Sequence, residues 1–387
     1  MAQRASGQGA VVSRLSQLFS SFQVEKRANA SRTLQVVTPF ASVVFAMLLG
    51  AVPLIFLGVN PFQAYGKMFQ GAFGSLNNLA EVGVKATPLL FTGLAVAIPL
   101  RAGLWNIGAE GQLYIGAFGA AGVALAFLGA GGSPSPWLVI PLMIVAGGLC
   151  AGLFALVPAW LKAKLGTNEI ITTLMLNYVA LNWNQFFIHG PWKDHVGFPR
   201  TERFGAYAWF PRFFGTRLHL GLFIALAMVV LIYFIYTKTR IGYETKVVGA
   251  NPNAATLGGI SKAKITLWTM TLAGAMAGLA GVGEVAAIQH RLIAGISPQL
   301  NPYGYTGIAV ALLAKGNPLG LIPSALTFAV IFVGGEFMKQ INFVSMFSGN
   351  LVQVPSAIVQ IVQVLVIFSI LAGDFLAQHR LTWRRHG

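Results

Sequence analysis

Seven stretches of this chain stay apolar for long enough to cross a lipid bilayer. They fall at about 38–59, 107–130, 137–161, 219–237, 263–288, 318–338 and 353–375. A helix needs about 20 apolar residues to span the hydrocarbon layer. A backbone inside that layer must satisfy its own polar groups, so the spans must be helical. Three further segments are weaker. Residues 86–100 are short and hold Pro88 and Pro99, 169–189 are apolar on one side only, and 303–315 are short. Counting all three predicts an all-α polytopic membrane protein with about ten transmembrane helices.

Composition excludes the main alternatives. Only 9% of the residues are charged and 56% are hydrophobic, whereas soluble domains carry about 25% charged residues. The net charge of +16 comes with too few charges for a nucleic-acid binder, so membrane lipid and not nucleic acid is the expected environment. The polar, basic stretch over residues 1–33 (Arg4, Arg14, Lys26, Arg27, Arg32) precedes an apolar run too long for a cleaved leader, which reads as a first anchor. The expected organisation is a basic arm over 1–34, one transmembrane domain over 35–376 and a basic tail over 377–387.

Charge orients the spans. With both termini in the cytoplasm and ten alternating helices, the outside holds Lys67, Lys85, Lys193, Arg200, Arg203, Arg212, Arg217, Arg291 and Lys339. Those nine leave 17 of the 26 basic residues inside, as the positive-inside rule expects. Five of the nine sit in one outer loop, 190–218. That loop is rich in aromatics (Trp192, Tyr207, Trp209, Phe210) and reads as interface packing or as a dock for an external partner. Residues 60–85 read as a helix lying along the outer interface.

No catalytic pattern is present. The chain has no phosphate-binding P-loop, no zinc-protease or nucleophile-elbow motif, and no histidines at ligand spacing, so neither a metal site nor a nucleotide site is expected on it. The single cysteine, Cys150, reads as a packing residue. Acidic residues in spans are costly and hence informative. Glu110 lies where a helix should begin, with Asn106 placed to cap it. Gly108, Gln112, Gly116 and Ala120 form a narrow face behind it. Glu110 is read either as lining a translocation pathway or as a cap at the cytoplasmic end. Glu284 falls late in a helix whose Gly274, Gly278 and Gly281 suit tight packing, including at a subunit interface. Asn177, Asn182, Asn184 and Gln185 on 169–189 would bond either a neutral polar solute or a neighbouring helix. The stretch Thr92–Ala97 echoes Thr306–Ala311, each followed by a base, Arg101 or Lys315; such repeats occur in transporters.

The longest internal loop, 238–264, holds a short helix signal. Asn251 is a cap and Pro252 an N1 residue, Ala254, Ala255 and Leu257 offer a small apolar face, and Gly258 and Gly259 stop the helix. Residue physics leaves a docking helix and an ordinary loop equally open. Val248-Gly249-Ala250-Asn251-Pro252-Asn253-Ala254-Ala255, followed by Gly259-Ile260, resembles the coupling loop of bacterial ABC-transporter permeases that import sugars, nucleosides and branched-chain amino acids. Leu104-Trp105-Asn106-Ile107-Gly108-Ala109-Glu110-Gly111-Gln112 is similar to the most recognisable stretch of that branch, with Trp105 in place of its usual Phe. Leu161–Lys164, Asn168-Glu169 and Thr172–Tyr178 look like the nucleoside and simple-sugar permeases, above all the longer permease subunit of nucleoside importers. The likeness covers about 35–375.

The resemblance implies a non-catalytic subunit of an importer in the bacterial inner membrane. A second permease, expected to be a different chain, would share the pathway. ABC ATPase subunits would bind ATP and magnesium, and a periplasmic or lipoprotein substrate-binding protein would deliver a nucleoside or purine-like solute, or a simple sugar. Asn251, Pro252, Ala254, Ala255, Leu257, Gly259 and Ile260 would dock the ATPase. The helices 107–130 and 263–288 would flank the pathway.

Overall fold

The computed structural model describes residues 22–26, 32–129, 134–298 and 302–383. Its elements, in order, are β1 (Phe22–Lys26), α1 (Arg32–Phe56), α2 (Pro61–Phe73), α3 (Leu76–Leu100), α4 (Ala109–Gly129), α5 (Pro136–Leu165) and α6 (Glu169–His189). There follow α7 (Leu220–Lys238), α8 (Arg240–Ala250), α9 (Pro252–Leu257), α10 (Lys262–Gly283), a π-helical turn (Glu284–Gln289), α11 (Tyr303–Leu313), α12 (Leu321–Lys339), β2 (Asn342–Val344), β3 (Leu351–Gln353), α13 (Ser356–Gln378) and β4 (His379–Trp383). Among the described residues seven helices are long and apolar enough to cross a membrane, or up to eight if helices joined at a bend are taken as one span. A helical membrane architecture is therefore as expected, but these helices number seven or eight and not the expected ten or so.

The all-α expectation needs two small amendments. β1 pairs antiparallel with β4, Phe22 opposite Trp383, and β2 pairs with β3, Asn342 opposite Gln353. The remainder of the 1–34 arm before Arg32, and the end of the 377–387 tail, lie outside the described residues. The chain divides into two units, Met1–Leu57 with Ile361–Gly387, and Gly58–Gln360. The first holds α1, the β1–β4 ladder and most of α13. The second holds everything discussed below.

The predicted outer-interface helix over 60–85 is really two pieces. Asn60 caps α2, its Oδ1 accepting from the Phe62 amide at 2.9 Å, and Pro61 occupies N1. That helix ends at Gly74, and Ser75 starts α3, its Oγ accepting from Asn78 N. The polar residues 76–85 are thus the first turns of a 25-residue helix, of which the short 86–100 segment is the second half. Hydropathy missed this because a helix enclosed by protein need not be apolar along its length.

α3 is the centre of the second unit. It is buried almost continuously from Ala86 to Pro99 and packs against α7, α10, α11 and α12. Around Pro88, Thr87 Oγ1 donates to the Gly83 carbonyl and Thr92 Oγ1 to that of Pro88. Such hydroxyl bonds help membrane helices carry proline. α10 packs on α4 and α5 through small residues. A Cβ at Gly116 of α4 would overlap the Gly278 backbone, and one at Gly274 would overlap Ala151 and Ala155 of α5. Gly274 and Gly278 therefore pack tightly against helices of their own chain. The cause is close backbone approach, which apolar driving force alone cannot supply in lipid.

The sequence echo has a structural counterpart. α3 and α11 lie side by side and parallel: Lys85 Nζ bonds Tyr303 Oη at 3.1 Å, Gly307 abuts Thr92, Gly93 abuts Val310, and Arg101 Nε donates to the Gly316 carbonyl at 3.2 Å. Their neighbours exchange too, α2 packing on α12 and α4 on α10.

Candidate functional site

Two places concentrate the residues singled out by sequence. The first is the connection between α7 and α10. Thr239 caps α8 through the Gly242 amide. Asn251 caps α9, its Oδ1 accepting from Asn253 N at 3.0 Å and Ala254 N at 3.1 Å, with Pro252 at N1. Gly258 follows the helix, and Gly259 adopts φ +75°, open to glycine without cost. Ser261 Oγ accepts from Lys264 N to start α10.

Within this connection the expected apolar face divides. Ala255 is fully buried, in a cluster with Ala102, Leu104, Ala159, Val248, Ile265 and Met270, and Ile260 packs against the same cluster. Leu257 is 91% exposed, and Asn251, Pro252, Ala254 and Gly259 are exposed with it. Positions two apart on a helix do not share a face, so Ala255 and Leu257 cannot belong to one docking surface. Ala255 anchors α9 to its own chain; Leu257 is displayed.

The second place is where α4 and α11 begin. After Gly103 the chain turns back: Asn106 Nδ2 donates to the Ala95 carbonyl, five residues short of the end of α3, at 3.1 Å. α4 therefore starts well inside the helix bundle. Asn106 Oδ1 accepts from Gly108 N at 3.1 Å, and its carboxamide pairs in both directions with that of Gln112, at 2.8 and 3.1 Å. Glu110 is buried and accepts from Gly304 N, in the first turn of α11, at 2.7 Å. Gly304 sits so close to the Glu110 backbone that a Cβ there would collide. The carboxylate thus serves the positive end of a half-helix from another part of the chain. The turn at 104–108 carries Glu110 into the bundle, where it caps α11.

Asn177 is likewise buried and bonded across helices. Its Oδ1 accepts from Gly111 N at 2.8 Å, and its Nδ2 donates to the Ile107 carbonyl at 2.9 Å and Tyr305 Oη at 3.1 Å. It ties α6 to both helix starts, with both of its amide hydrogens used. Glu284, at the first position of the π turn, is buried and bonds the Tyr303 hydroxyl, which also receives Lys85 Nζ. The structure therefore brings Glu110 and Glu284 to successive sides of Tyr303. Sequence reading missed Lys85, Ser297, Tyr303 and Tyr305 as members of this junction. Ser297 Oγ accepts from Tyr303 N at 2.9 Å. A short helix opening on Pro302 was the only local hint.

The loop 190–218, expected on the outside, is folded onto the end of α10. Thr201 N donates to the Leu292 carbonyl at 3.0 Å and Phe204 N to that of His290 at 2.8 Å. Arg212 Nη2 donates to the Ala287 carbonyl at 3.1 Å and to His290 Nε2 at 3.0 Å, Arg203 lies over Trp209, Arg200 pairs with Asp194 at 2.9 Å, and Arg217 with Glu81 at 3.2 Å.

Comparison with known proteins fits this layout. The family described as the permease component of branched-chain amino acid transport systems matches residues 78–371. The chain is 38% identical to a glucose ABC transporter permease of Haloferax volcanii, covering 93% of each. It is 33% identical to a nucleoside ABC transporter permease of Lactococcus lactis (88% of this chain, 92% of the relative). It is 31% identical to a guanosine ABC transporter permease of Bacillus subtilis (87% and 93%).

Proposed function

The chain belongs to the family of permease components of branched-chain amino acid transport systems, and on that premise we propose that it is a membrane subunit of an ATP-driven importer for a nucleoside or a simple sugar. It forms one side of the pathway and does no chemistry itself. ATP and magnesium act on a separate ATPase subunit, a second and different permease completes the channel, and an external substrate-binding protein delivers the solute. Adding α1, α6 and α11 to the seven long apolar helices gives ten spans, with both termini and the α7–α10 connection in the cytoplasm and the protein in the bacterial inner membrane.

The observation that carries this reading is α9. It is a capped helix held from behind by Ala255 and Ile260, with Asn251, Pro252, Ala254 and Leu257 turned outward. A helix presented in this way suits insertion into a groove of a partner. Replacing Leu257 by Asp should leave the protein folded, since the side chain is already in water, and should abolish ATP-dependent uptake and co-purification with the ATPase. Full uptake by that variant would sink the docking role. Gradient-driven flux through the purified chain in liposomes lacking any ATPase would instead favour a stand-alone transporter or channel. The simple-sugar reading is kept because of the 38% identity to a glucose permease. Competition of labelled guanosine uptake by glucose or ribose separates the two cargoes.

A further inference from the structure

We infer that the outward stripe of α6 formed by Tyr178, Asn182 and Gln185 touches the solute in the pathway, and that it is built for a neutral solute bearing a nucleobase-like ring. The inference rests on the importer reading above.

The two faces of α6 are used differently. Thr173, Asn177, Ala180, Asn184 and Ile188 face inward and are buried. Tyr178, Asn182, Gln185 and His189 recur at intervals of four, three and four on the other side, and all are exposed. This is one helical stripe. At 1.5 Å per residue, Tyr178 lies near the midpoint of the 21-residue helix, with Asn182 and Gln185 roughly 6 and 10 Å further toward its C-terminus. The stripe is therefore at membrane depth.

Lipid cannot cover such a face. A carboxamide in hydrocarbon without a partner costs several kcal/mol. Among the described residues, the bonds within the stripe go to its own backbone: Asn182 Nδ2 donates to the Tyr178 carbonyl at 2.8 Å, and His189 Nδ1 meets the Gln185 carbonyl at 2.9 Å. Among the described residues, the Asn182 Oδ1, the Gln185 carboxamide and the Tyr178 hydroxyl have no partner. The exposed faces of other spans differ. α5 shows Leu142, Val145, Leu149 and Leu153, and α7 shows Phe223, Val230 and Phe234. Those faces fit lipid; among the described spans, α6 alone exposes carboxamides in its middle.

The chemistry of the stripe selects its occupant. It carries no charge between Glu169 and His189, so it offers nothing to hold an ion. Two carboxamides each present a donor beside an acceptor, the arrangement that pairs with a base edge. The phenol of Tyr178, 58% exposed, and the exposed ring of Phe186 give flat surfaces on which a heteroaromatic ring stacks.

The test uses the assembled importer in proteoliposomes with cysteine-free partner subunits. Cys150 is the chain's single cysteine, so Cys150→Ala gives a clean background for Asn182→Cys, Gln185→Cys and, as a lipid-facing control, Leu153→Cys. A water-soluble methanethiosulfonate should label positions 182 and 185 at least tenfold faster than 153, and guanosine during turnover should slow that labelling while glucose does not. In parallel, Asn182→Leu with Gln185→Leu should cut ATP-dependent guanosine uptake at least tenfold in complexes that still assemble. Equal labelling of all three positions would overturn the inference, because the stripe would then face lipid or a partner helix. Protection by glucose and not by guanosine would overturn the nucleobase assignment. If the unsubstituted importer takes up neither solute with ATP, the importer reading fails, while the labelling rates still judge whether the stripe meets water.

Discussion

Residues 190–218 and 238–264 carry five basic side chains each, yet use them in opposite ways. The outer loop has four arginines and one lysine; the α7–α10 connection has four lysines and one arginine. In the outer loop all four arginines contact the protein itself, through Asp194, Trp209, the end of the π turn and Glu81. In the connection Arg240 pairs with Glu244 at 2.6 Å, while Lys238, Lys246 and Lys264 are exposed and, among the described residues, make no ion pair. A planar guanidinium is suited to fixed, multidentate contacts, and an ammonium to a mobile charge in water. One loop's charge holds structure together, and the other's is displayed. The positive-inside count treats the two loops alike, whereas the structure separates them by what their charges touch.

The sharpest way to break this comparison is inside the connection. Ala255→Asp places a carboxylate in a closed apolar cluster and should destabilise the folded chain by about 4 kcal/mol, read as a large fall in the melting temperature in detergent. Leu257→Asp, two residues on, should leave melting unchanged. Equal effects at the two positions would dissolve the division between anchor and display.

A smaller effect is expected in the outer loop. Arg212→Ala removes the cation from the Ala287 carbonyl and from His290 and should cost about 1–2 kcal/mol, with Arg212→Lys recovering only part. The same loop should be acid-sensitive. His219 is held neutral, its pKa lowered to about 4 by burial and then by Arg212 and Arg217. His290 is lowered to about 4 by burial and then chiefly by Arg212 and Arg203. Between about pH 6.5 and 4 the unfolded chain takes up protons that the folded one refuses. Stability is thus complete above 6.5 and declines as pH falls toward 4. The Arg200 guanidinium keeps the Asp194 carboxyl below its usual range, so that pair fails only at still lower pH. Hydrogen exchange should show amides of 190–218 opening on acidification before those of 239–261.

The smallest effect belongs to the displayed charges. Lys246→Ala with Lys264→Ala should change stability by less than about 0.5 kcal/mol. It should also weaken association with the ATPase at low salt more than at high salt.

Much of this was legible in the sequence where a single segment carried the signal. Asn251-Pro252 and Gly258-Gly259 mark both ends of α9 because capping and chain reversal are local. The long apolar runs likewise name most of the helices. What stayed hidden depends on partners distant in the chain. Nothing local says that Glu110 serves the amide of Gly304, or that Asn177 closes on Gly111 and Tyr305. The polar first turns of α3 looked like an interfacial segment because hydropathy reports contact with lipid, and α3 is clad in protein. Ala255 leaves the face of Ala254 and Leu257 for a different reason: the 100° step between helical residues separates it from Leu257.

The burial of α3 also has a consequence in time. Three of its covers, α10, α11 and α12, come after Lys262. About 240 residues separate the end of α3 from the end of α12, and at a synthesis rate of roughly 5–20 residues per second that is on the order of 12–48 s. Through that interval a helix with Asn77, Asn78, Glu81 and Lys85 in its first turns waits without the neighbours that later enclose it. Its retention in the membrane during synthesis must come from its own second half, from Ala86 onward, or from the translocation machinery that holds it.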